Sequence, residues 1–97
     1  METKTIEELA VLANTEQFNK LKLLEEIHEC GELVVKSMTK PPEQQDKEHL
    51  VEELGDLIIR AKILAHMIGK DLVENRIKQK EEMLCEHYKN KIERSNP

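Results

Sequence analysis

The chain has 97 residues, a formal net charge of −5, 36% charged residues and 2% aromatic ones. That length gives one domain spanning 1–97, or one subunit of an assembly, and a core so small that it is ordinarily supplemented by a partner copy, a metal or idealised helix packing. The scarcity of aromatics argues against a stacking platform for nucleic acid. The negative balance argues against a protein that grips phosphate backbones through bulk charge, although an acidic chain can still hold a polyphosphate through metal ions.

Cys30 and Cys85 form no Cys-x-x-Cys and read as reduced thiols of a cytoplasmic protein. The opening METKTIEELA lacks the basic-then-apolar order of a signal segment, and no apolar run is long enough to cross a bilayer, so no membrane partner is expected.

Helical periodicity runs through the whole chain and no segment alternates as a strand does, which predicts an all-α antiparallel bundle of about four helices, completed by oligomerisation. Thr5 and Glu8 fit a capping box opening a short first helix with Ile6, Leu9, Ala10 and Ala13. Asn14 or Thr15 caps a second helix from Glu16 to Met38, whose apolar stripe is Phe18, Leu21, Leu24, Ile27, Gly31, Val34, Val35 and Met38. Thr39 to Gln45, with Pro41 and Pro42, is a connection. Asp46 caps a third helix carrying Leu50, Leu54, Leu57, Ile58, Ala61, Leu64, Ala65 and Ile68, and Gly69 suits its C-terminal end. Asp71 with Glu74 offers a capping box for a fourth helix, with a sparser stripe of Val73, Ile77, Lys80 or Glu81, Leu84 and Tyr88. That helix is expected to be less buried, or completed by a partner, and the tail from about Glu93 to fray.

The short connection makes the second and third helices an antiparallel hairpin. With Thr39 and Asp46 as its inner ends, Val35 faces Leu50, Ile27 faces Ile58, Leu24 faces Ala61 and Leu21 faces Leu64. The same register sets Glu32 beside Glu53 and Glu29 beside Asp56. Each acidic pair is three residues apart and shares a helix face. Seventeen glutamates make such pairs common, and a single one is ordinarily a solvated face. Four carboxylates at one height repel one another, however, and a cation between them resolves the conflict. Oxygen ligands without convergent histidine or cysteine favour Mg²⁺, or Mn²⁺, over zinc, and magnesium typically bridges protein carboxylates to substrate phosphates.

Glu29-Cys30-Gly31-Glu32-Leu33 resembles the Glu-x-Gly-Glu-Leu signature of the MazG-like all-α NTP pyrophosphatases, and Glu52-Glu53-Leu54-Gly55-Asp56-Leu57 resembles that family's second signature. Gly69-Lys70-Asp71-Leu72 is similar to its turn into the last helix. The likeness covers about Leu21 to Met83. It implies a Mg²⁺-dependent hydrolase cleaving (d)NTP to (d)NMP and pyrophosphate, acting as a homodimer or homotetramer. Glu29, Glu32, Glu53 and Asp56 would be its metal ligands and catalytic acids. A second alignment, on Glu25-Glu26-Ile27-His28-Glu29, makes Glu26 and Glu29 the first-helix ligands; the later pair is preferred because Gly31, Leu33 and the register agree with it. Two departures touch base specificity: Arg60 stands where several relatives carry an aromatic, and the family's late basic residue falls loosely on Lys80 or Lys78.

Arg60, four after Asp56, reads as an ion pair with Glu25 or as a phosphate contact. Lys78 and Lys80 read as solvated lysines unless a partner or the last helix closes the site. Glu25 with His28 has the spacing of a di-iron pair, but no second such pair exists, so His28 and His49 read as surface or partly buried helix residues. Gly31 and Gly55, each inside an acidic pair, suggest a close helix or ligand approach. A helical interaction module, or a relative that senses nucleotides without turnover, are the rival readings.

Overall fold

The computed structural model describes residues 3–41, 43 and 46–95. Among them the fold is all-helical, with α1 (Ile6–Ala13), α2 (Glu16–Met38) and α3 (Lys47–Ser95). The caps are local and follow from the sequence. Thr5 and Glu8 close their capping box, Thr15 Oγ1 accepts from the Phe18 N–H at 3.1 Å, and Asp46 Oδ1 accepts from the His49 N–H at 3.0 Å. Pro42, Gln44 and Gln45 of the connection lie outside the described residues, as do Met1, Glu2, Asn96 and Pro97.

The expected third and fourth helices are one helical stretch broken only at Gly69, where φ is 140° and ψ is 85°. Forty-nine residues of straight helix would span about 73 Å at 1.5 Å per residue, whereas the longest dimension is 59 Å, so the chain bends at this elbow. Glu74 reaches back to Lys70 at 4.0 Å rather than forming a box with Asp71. Helix continues through Glu93 to Ser95, where fraying was expected. Gly69 is the one residue with positive φ among those described, and a Cβ there would meet Leu72 Cδ1 at 3.1 Å. Gly69→Ala should therefore cost about 1–3 kcal/mol. Thermal unfolding followed by circular dichroism should show the midpoint falling by about 4–8 °C per kcal/mol.

α2 and α3 pack antiparallel, and α1 lies on α3. The register along the axis is within one residue of the expected one, since Asn19 Nδ2 contacts Met67 Sδ at 3.0 Å. The rotation of the helices is different. The face of α2 turned to α3 is Asn19, Leu23, Glu26, Cys30, Leu33 and Ser37, at alternating four- and three-residue spacing, with Asn19 and Cys30 fully buried. The matching half-buried row on α3 is Leu50, Glu53, Leu57, Arg60, Leu64 and Met67, of which Met67 contacts Asn19. The expected core pairs of Val35, Ile27, Leu24 and Leu21 are thus corrected, because those side chains point outward; Leu24 is 61% exposed. The same holds for Val51, Leu54, Ile58, Ala61 and Ile68 of α3. Each outward stripe lies about a third of a turn from its helix's inner face, at 100° per residue, and in an antiparallel pair both turn to one side of the hairpin.

Among the described residues Ala10 and Ile63 are the other buried positions, and the core they form is slight. The radius of gyration is 17.6 Å, against about 13 Å for a compact domain of this length. Beyond Gly69, α3 is almost wholly exposed.

Candidate metal centre

The inner face of α2 and the first three turns of α3 bring acids together. Glu26, Glu53 and Asp56 each place one carboxylate oxygen so that all three atoms lie within 4.8 Å of one another. Glu53 and Asp56 come from adjacent turns of α3, and Glu26 comes from the middle of α2. Glu26 and Glu53 are half-buried, and Asp56 is exposed. Glu26 Oε2 and Glu53 Oε2 are buried and have no hydrogen-bond partner.

This crowding has an electrostatic consequence. The Glu26 carboxyl is pushed above its usual value of 4.5 by desolvation first, then by the charges of Glu29, Asp56 and Glu53; Arg60 opposes the rise. A carboxyl whose folded pKa exceeds its unfolded one binds its proton more tightly when folded. Its contribution favours the folded state at acid pH and is lost as pH rises from near 4.5 through the raised folded value. Metal-free stability should fall across that window, and Glu26→Gln should remove this part of the fall. At neutral pH the metal-free Gln variant should be more stable than wild type, as paired thermal melts from pH 4 to pH 8 would reveal.

The other residues singled out from the sequence take different places. Glu29 is exposed, outside the group of three, and close enough for its charge to act on Glu26. Glu32 is turned away: its side chain is 61% exposed and Oε1 lies 3.1 Å from His28 Nε2. Glu25 pairs with Lys22 at 3.3 Å, so the expected Glu25–Arg60 pair is replaced. Arg60 is half-buried on the inner face of α3, and Lys78 and Lys80 are exposed beyond the elbow. A Cβ on Gly31 or Gly55 would meet nothing within 4 Å, so neither marks a close approach within the chain.

The donor set fits a hard divalent cation. It offers three convergent carboxylates and two buried oxygens whose lone pairs nothing else satisfies, with no thiolate or imidazole in the group.

Among the described residues the chain is all-helical and gathers carboxylates between two antiparallel helices, an arrangement from which helical proteins can build metal sites. The sequence model of the MazG nucleotide pyrophosphohydrolase domain matches residues 14–96, and the chain belongs to that family of nucleotide hydrolases. α1 precedes the matched segment. No curated protein and no solved structure matches the chain. No helix of the described residues is long and apolar enough to cross a membrane.

Proposed function

We propose that this chain is a Mg²⁺-dependent pyrophosphohydrolase that cleaves (d)NTP to (d)NMP and pyrophosphate in the cytoplasm, with Mn²⁺ as an alternative ion. The observation that carries this reading is the meeting of Glu26, Glu53 and Asp56 within 4.8 Å, with orphaned buried oxygens on two of them. Those three residues would hold the ion, and Glu29, one turn from Glu26, would complete the set. This is the alternative first-helix pairing; Glu32 is not included because its carboxylate faces His28.

A bound divalent cation supplies charge neutralisation on the phosphates and acidifies water. The chain's own residues do the rest. An acid of the group would orient the attacking water and take its proton as the water oxygen bonds to phosphorus and a P–O bond of the α–β bridging oxygen breaks, releasing NMP and pyrophosphate. Arg60, the half-buried cation next to this group, would contact a phosphate, and its fixed fork suits that role. Lys80 remains a candidate for the outer phosphates if a partner copy brings it in.

The outward stripes support a homodimer or homotetramer. They leave large apolar side chains exposed along one side of the hairpin, with Val51 68% and Met38 78% exposed. Monomeric soluble proteins rarely leave so extended a patch uncovered. Gly31 sits in this stripe, where a partner helix could come close. The acids open on the opposite side, so assembly would not occlude them.

Pyrophosphate release from a panel of NTPs and dNTPs, with and without Mg²⁺, tests the reading. Release that needs the ion supports it. Nucleotide binding without turnover would mark a sensor, and no binding at all an interaction module.

A further inference from the structure

We propose that His49 is a positioning residue for Glu53, an inference that rests on the metal reading given above. His49 lies in the first turn of α3, where its backbone N–H is held by Asp46 Oδ1 at 3.0 Å. Its side chain projects along the helix to the residue one turn on, and Nε2 stands 3.4 Å from Glu53 Oε1. The two carboxylate oxygens of Glu53 therefore have different surroundings. Oε1 lies 3.4 Å from the imidazole Nε2, while Oε2 is buried and has no hydrogen-bond partner. The Glu53 side chain is only 17% exposed, whereas that of His49 is 50% exposed.

An imidazole beside one carboxylate oxygen restricts rotation about the last bond of the side chain and favours the orientation that presents the other oxygen to the acidic group. Partners of this kind orient ligands and raise metal affinity without touching the ion. The other histidine–glutamate pair shows what distinguishes this one. His28 and Glu32 have the same spacing and a shorter separation of 3.1 Å, but both side chains are largely solvated and Glu32 lies outside the convergent acids. The α3 pair has one member inside that group. His49 is thus assigned a role through Glu53, with no contact to substrate.

The test is Mn²⁺ binding to the full chain, measured by calorimetry and by the loss of the free-ion electron paramagnetic resonance signal. His49→Ala should weaken Mn²⁺ binding by about tenfold or more. His49→Gln, whose amide can donate from nearly the same point, should restore affinity to within about threefold of wild type. His28→Ala should leave it unchanged. The Asp46 cap uses the backbone of residue 49, so circular dichroism should report the same helix content in all three variants. Wild-type affinity in His49→Ala overturns the proposal, and so does a Gln variant as weak as the Ala one. A wild-type chain that fails to bind Mn²⁺ would overturn the metal reading itself, a result distinct from equal binding by wild type and His49→Ala.

Discussion

Glu53→Gln is expected to lower turnover by at least about 100-fold while leaving the helices intact. Changes to residues that merely support a ligand cost about 10–100-fold, and Glu53 is proposed as a ligand. Its amide isostere keeps the volume but loses the negative charge and one oxygen, which a hard cation needs. The fold has no reason to suffer. Glu53 carries one of the charges that push the Glu26 carboxyl up, so removing it relieves repulsion in the metal-free chain. Pyrophosphate release and circular dichroism on the same preparation separate lost chemistry from lost structure. Turnover within about threefold of wild type would remove Glu53 from the ligand set.

The second large effect concerns assembly. Ile58→Glu places a carboxylate in the middle of the outward stripe of α3. In an isolated chain this should be tolerated, since Ile58 is about half exposed. Between two copies it becomes an unpaired buried charge, which costs several kcal/mol per ion, and a symmetric contact repeats it. The association constant should fall by at least about 100-fold. Wild type should sediment at micromolar concentration as a dimer or tetramer, and the variant as a monomer with a lower melting temperature. A wild-type chain that sediments as a monomer would contradict this part of the account.

Much of the fold was legible because its signals are local. Thr5 with Glu8, Thr15 and Asp46 each cap the helix that follows them, so α1 and α2 and the start of α3 fall where the side chains say. The family was legible because its acidic signatures are contiguous in the chain. The elbow was marked by Gly69, yet its form was not: helix resumes at once on its far side, since a single positive φ bends the chain without a linker.

The rotation of α2 was not legible. Periodicity finds the most apolar face of a helix but does not name what covers it. The inner face here carries Asn19, Glu26, Cys30 and Ser37, which no hydrophobic pattern would select over Leu24, Ile27 and Val34. Assigning the apolar stripe to the hairpin interior put Glu29 and Glu32 beside α3. With the stripe turned outward, Glu26 comes in and Glu32 goes out. A signal was present in Glu26 and Cys30, one turn apart and in line with Asn19 and Leu23, but it carries weight only once the hairpin face is known. His49 was also visible as a histidine four before Glu53. Its significance depends on Glu53 being half-buried, which spacing does not show.

Anomalous scattering from crystals grown with Mn²⁺ tests the central claim most directly. A peak bound by Glu53 and Asp56 of α3 and by Glu26 of α2, at roughly 2.0–2.3 Å from their oxygens, is the expected result. A peak held by Glu32, or none near these three residues at saturating Mn²⁺, would contradict it.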